Sequence, residues 1–107
     1  MQWNMKETQD LISAILALKN ADEARCFLRD LLTQEEILEF GRRFKAARML
    51  REGLPYTQIV DKTGLSSTTV ARVSKWLKSG MGGYELILNR MNHHHANTTP
   101  LAGRGLR

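Results

Sequence analysis

The sequence predicts an all-α protein that contains a helix-turn-helix. Apolar residues recur at helical spacing in successive segments, Ser, Thr and Gly stand where helices start and stop, and Tyr56 to Leu77 reads as two short helices joined by Gly64. A chain of 107 residues has room for one small domain. A protein of that size buries a limited fraction of its surface unless it finds a partner, so oligomerisation is expected.

Leu11, Ile15 and Leu18, with Ala14 beside them, share one face of a first helix from about Lys6 to Lys19. Asn20-Ala21-Asp22 breaks it, and Asp22 is the expected cap of a second helix carrying Cys26, Phe27, Leu28, Leu31 and Leu32. That is more apolar girth than one flank of a small monomer needs, so this helix is expected to form an interface. Cys26 is the only cysteine; no intrachain disulfide is possible, and a buried, reduced thiol is expected. Thr33 followed three residues later by Glu36 reads as a capping box. It opens a long third helix through Ile37, Phe40, Phe44, Ala47 and Leu50, ended by Gly53.

In the helix-turn-helix, Ile59, Val60 and Thr63 share one side of the first helix, and Val70, Val73 and Leu77 recur along the second. Gly64 supplies the positive-φ turn, Leu65 plugs the gap beneath it, and Ser66 is the N-cap. Lys78-Ser79-Gly80-Met81-Gly82-Gly83 then forms a hinge, and Tyr84 to Met91 a last short helix. The expected organisation is a dimer core at 1–53, a DNA-binding unit at 54–78, a hinge and C-terminal helix at 79–92, and a flexible tail at 93–107.

Charge is unevenly distributed. The net charge is +5, but residues 1–39 hold four basic groups against eight acids, whereas residues 40–107 hold twelve against three. The basic half contains the helix-turn-helix, which fits binding to a polyanion, although basic balance alone would fit a membrane surface or RNA as well. No basic segment leads into an apolar run, and nothing approaches the ~20 apolar residues of a membrane span, so neither export nor membrane insertion is expected and the cytoplasm is the expected location.

The opening turn of the second helix, Ser66-Ser67-Thr68-Thr69, combines hydroxyls with free backbone N–H groups that suit phosphate. At about 100° per residue, Thr68, Ala71, Arg72 and Lys75 lie opposite the apolar seam. Arg72 suits a bidentate pair with guanine, Thr68 and Ala71 a thymine methyl or a base-edge polar atom, and Lys75 phosphate. Thr57 and Gln58, opening the preceding helix, complete the candidate DNA-binding set. Arg42, Arg43, Lys45, Arg48 and Arg51 along the long helix read equally well as a solvated face pairing with Glu39 and Glu52 or as phosphate clamps.

Other signals carry less. His93-His94-His95 lacks the spaced geometry of a folded metal site, and no metal or other cofactor is expected. Gly80-x-Gly82-Gly83 is followed by no Gly-Lys-Ser/Thr and is no nucleotide loop. Glu35, Glu36 and Glu39 complement a helix dipole and have no His or Cys partner, so no catalytic constellation is present and an enzyme is not expected. Trp3 and Trp76 are expected in the core rather than stacked on bases.

Several segments in order resemble the Trp-repressor superfamily, and more closely its small YerC/YecD-type branch than the tryptophan-sensing repressor. They are Leu31-Leu32-Thr33-x-x-Glu36, Gly41-x-Arg43, Leu50-Arg51-x-Gly53, Tyr56-x-x-Ile59, Thr63-Gly64-x-Ser66, Thr69-Val70-x-Arg72-Val73 and Gly82-Gly83-Tyr84. The resemblance implies an all-helical, intertwined homodimer with two projecting helix-turn-helix units, acting on double-stranded DNA as a transcriptional regulator. In the tryptophan-sensing member the amino acid lies between the long and recognition helices. By position Arg43 and Arg72 match its two arginines there, and Thr33 a threonine near its amino group. Val73, however, stands where that member has a glycine leaving room for the indole, and Trp76 is far larger than the residue found there. Tryptophan is therefore not the expected effector. Thr33, Arg43 and Arg48 remain candidates for phosphate or effector contact, and the sequence leaves open whether any small molecule acts.

The resulting expectation is a sequence-specific regulator, a repressor by occupancy, reading a pseudo-palindromic operator. The alternative is a helical DNA-binding or protein/RNA-interaction module of a larger machine such as a sigma factor or replication initiator.

Overall fold

The computed structural model describes residues 1–98, with side chains described through residue 92. Among the described residues it contains six α-helices and no strand: α1 (Lys6–Ala17), α2 (Ala21–Leu31), α3 (Gln34–Arg51), α4 (Tyr56–Thr63), α5 (Ser67–Ser79) and α6 (Gly83–Thr98). None of the described helices is long and apolar enough to cross a membrane. The chain divides into two compact units, Met1–Leu38 and a second beginning at Glu39.

The N-terminal unit is organised by caps. Asn20, not Asp22, caps α2: its side chain accepts the Glu23 N–H at 2.9 Å, while the Glu23 carboxylate accepts the Lys19 N–H at 2.9 Å. Asn20 with Glu23 three residues on is itself the capping-box pattern, which outweighs the acidic side chain two positions later. At the next junction the expected box is present. Glu36 N–H donates to Thr33 Oγ1 at 3.1 Å, and Thr33 N–H donates to the Glu36 carboxylate at 2.9 Å. No side chain of α1 or α2 is buried, and Leu11, Ile12, Ile15, Leu16, Leu28 and Leu31 are all exposed. Cys26 is likewise exposed rather than buried, because the apolar face that carries it has nothing over it within one chain.

The second unit holds the core. Ala46, Ala47 and Met49 of α3 join Ile59, Leu65, Val70, Val73 and Leu88, with Phe44, Leu50, Leu54, Val60, Leu77 and Tyr84 packed around them. Of the expected α3 stripe, Ala47 is buried and Phe44 and Leu50 pack against the core, while Ala46 and Met49 beside it are buried as well and Phe40 is exposed. Two side-chain links tie α3 to α6: Arg51 pairs with Glu85 at 3.3 Å and hydrogen-bonds Asn89. Ring centroids of Phe44 and Tyr84 lie 6.5 Å apart.

The last helix does not stop at Met91 but runs to Thr98. No glycine or proline interrupts the sequence from Tyr84 to Thr98, and extending an existing helix is far easier than starting one, so apolar periodicity is not needed for it to continue. The backbone of His93–His95 thus belongs to α6, and the rest of the expected tail, 99–107, lies outside the described residues.

Candidate nucleic-acid interface

The site starts at the turn between α4 and α5. Gly64 adopts φ 78° and ψ 4°, the left-handed conformation that a side chain would strain, and its N–H closes α4 on the Val60 carbonyl at 2.9 Å. Leu65 is buried beneath the turn. Thr63, also buried, donates its hydroxyl to the Ile59 carbonyl at 2.7 Å and accepts the Leu65 N–H at 3.2 Å. Ser66 then caps α5, its Oγ accepting the Thr69 N–H at 3.1 Å and donating to Thr69 Oγ1 at 3.0 Å.

These bonds divide the hydroxyl cluster that the sequence presents as one feature. Ser66 and Thr69 are committed to each other and to the cap, whereas Ser67 and Thr68 are exposed. Beyond them Val70, Val73 and Ser74 are buried, and Ala71, Arg72 and Lys75 are exposed. The recognition-like face opposite the seam is therefore free of the core. Thr57 and Gln58 are exposed in the first turn of α4.

Two basic groups of this unit are neutralised within it, Arg51 by Glu85 and Arg43 by Glu39 at 3.3 Å. Arg43 also lies 5.6 Å from the Phe40 ring centroid and is half-buried, which commits it to its own helix. Among the described residues Arg42, Lys45, Arg48, Lys62, Arg72 and Lys75 have no ion pair and are exposed. Lys75 Nζ lies 5.5 Å from the Trp76 ring centroid. Unpaired cations clustered in one unit leave a positive field suited to a polyanion. Thr33 is exposed with its hydroxyl engaged in the capping box.

Trp76 is not core: it is 51% exposed, because its turn on the helix places it between buried Val73 and exposed Arg72. Trp3 is exposed as well. Trp76 lines an open cleft of about 470 Å³ with Phe44, Gly80, Met81, Gly83, Tyr84 and Ile87. A Cβ at Gly80 would stand 2.4 Å from the Trp76 carbonyl, so the chain can leave α5 here only as glycine. Neither Arg43 nor Arg72 lines this cleft, and Val73 is 3% exposed in the core. Among the described residues no group of His, Cys, Asp and Glu is arranged to hold a metal ion.

A capped second helix with an exposed basic and hydroxylated face, set at a glycine turn on an all-helical scaffold, defines a helix-turn-helix protein. Residues 6–92 match the family model described as Trp repressor protein. The chain is 42% identical over 86 residues to YerC of Bacillus subtilis (strain 168), covering 80% of this chain and 83% of the relative. It is also similar to two crystal structures. One is a TrpR-like protein from Eubacterium eligens, at 40% identity and TM-score 0.81, covering 84% of this chain and 93% of that one. The other, described as a candidate Trp repressor from Staphylococcus aureus, aligns at 36% identity and TM-score 0.80, covering 86% and 95%. The chain belongs to the Trp repressor family, in its YerC-type group, and so to a family of DNA-binding regulators.

Proposed function

We propose that this chain is a sequence-specific transcriptional regulator that acts as a homodimer, reads a pseudo-palindromic operator with α5, and represses by occupying the promoter. The observation that carries the reading is the face of α5: Thr68, Ala71, Arg72 and Lys75 stand exposed opposite buried Val70, Val73 and Ser74, behind an N-terminus capped by Ser66. Arg72 pairs with guanine in the major groove, and Thr68 and Ala71 meet base edges. Ser67, Lys75, Thr57, Gln58 and Arg48 hold the phosphate backbone, and Ser66 and Thr69 keep the first turn in shape. Thr33 and Arg43 act within the fold, as cap and helix-face pair.

The dimer is supported by the N-terminal unit, where α1 and α2 expose amphipathic faces that a second copy would cover. Two-fold symmetry sets half-sites about one helical turn apart, roughly 34–36 Å. Tryptophan is not the effector in this reading, since Val73 fills core space and no arginine lines the cleft beside Trp76. The test is selection of bound sequences from a random duplex library, followed by titration of the best site and its shuffled control at two salt concentrations, with and without tryptophan. A two-fold symmetric motif, bound equally well without tryptophan, is expected. Sequence-blind binding, or none, would overturn the reading.

A further inference from the structure

We propose that Thr63 is the positioning residue that fixes the angle of α5 against α4 and through it the discrimination between base sequences, an inference that rests on the functional reading above. Thr63 is polar yet 7% exposed, and its single hydroxyl bridges the turn. It donates to the Ile59 carbonyl in α4 at 2.7 Å and accepts from the Leu65 N–H, beyond Gly64, at 3.2 Å. Ile59 and Leu65 are both core residues, so the bridge joins two fixed points on either side of the glycine. Gly64 itself cannot hold an angle, because without a side chain it moves over a wide range of φ and ψ at little cost. The restraint comes from its neighbour.

Loss of the hydroxyl leaves the Leu65 N–H, buried with its residue, without this acceptor. A buried donor is strongly driven to find another partner, and rotation about Gly64 is the available route. Lys75 lies eight residues beyond Ser67, about 12 Å along the helix axis. A tilt of about 10° at the turn therefore displaces the far end of the reading face by about 2 Å, enough to break hydrogen bonds whose tolerance is a few tenths of an ångström. Contacts from flexible cations to phosphate absorb such a shift, but a bidentate contact to a base edge does not.

Three variants separate positioning from mere stabilisation: Thr63→Val keeps the branched shape without the hydroxyl, Thr63→Ser keeps the hydroxyl without the methyl, and Thr63→Cys has the unbranched shape of serine with a weakly donating and accepting thiol. Each is titrated, at a temperature where it is fully folded, against the selected site and a shuffled duplex over a range of salt. Thr63→Val is expected to lose about tenfold in the ratio of specific to non-specific affinity, comparable to one mismatched base pair. Its salt slope and non-specific affinity should match the parent. Thr63→Ser should stay within about twofold of the parent, and Thr63→Cys should fall between. Equal weakening on both duplexes, or a serine variant as poor as valine, overturns the proposal. A readout without DNA distinguishes its failure from that of the functional reading. In Thr63→Val the Leu65 amide should exchange hydrogen faster, and residual dipolar couplings should report a changed angle between α4 and α5. An unchanged angle refutes the role of Thr63 even if the parent protein selects a clear operator. A changed angle with no operator found overturns the functional reading instead, and with it the discrimination ascribed to Thr63, while leaving Thr63 as the residue that sets the angle.

Discussion

Residues Met1–Leu38 and the described region from Glu39 to Thr98 are both helical, yet their apolar side chains meet different fates. In the first, every leucine and isoleucine of α1 is exposed and Leu28 and Leu31 of α2 are uncovered, so its helices stand on local signals, the Asn20 cap and the Thr33–Glu36 box. In the second, Ile59 and Val70 are fully buried and all the core residues are found. Amphipathic periodicity is a demand for a covering surface, and one chain meets that demand only in the second unit. The charge follows the same division, acidic before residue 40 and basic after it. One region leaves its apolar side chains uncovered within a single chain, and the other carries the positive charge that suits a polyanion.

The largest effect should come from breaking the first region's demand. Leu28→Asp combined with Leu31→Asp touches no buried side chain of the single chain, but in the proposed dimer it buries unpaired carboxylates. Dimer affinity should fall by more than about a thousandfold, some 4 kcal/mol, with sedimentation giving the mass of one chain and helical content retained. A surviving dimer would place the interface elsewhere. In the second region Ile59→Ala removes a fully buried side chain and should cost about 2–5 kcal/mol in urea unfolding. A cost below about 1 kcal/mol, inside the range of Ile→Val, would mean that the reader unit does not depend on this core. The smallest effect belongs to the surface. Arg48→Ala removes an exposed cation without an ion pair among the described residues, and should lower the salt slope of DNA binding by about one unit while leaving sequence preference unchanged.

Much of this contrast was legible in the residues. Gly64, Ser66 and the pair Thr33/Glu36 carry their geometry in their own chemistry, and the structure repeats it. The seam Val70/Val73 follows from spacing alone. What sequence could not supply was the fate of a side chain that depends on distant surfaces. Cys26 sits in an apolar pattern and is exposed, and Trp76 looks like core but lies on a flank. By spacing Thr63 belongs to the apolar side of its helix, and the spacing carries no sign that its hydroxyl spans the turn. Periodicity does not show the extension of α6 to Thr98, because it reports burial, whereas a helix already started can propagate through a stretch without breakers.

In the proposed complex the outer face of α5 reads bases rather than merely attracting DNA. The direct test is titration of the parent protein and Arg72→Ala against the selected operator and its single-base variants at fixed salt. Arg72→Ala should lose about 1–3 kcal/mol on the preferred site and flatten discrimination at one base pair in each half-site. Uniform weakening across every sequence, with discrimination intact, would contradict it.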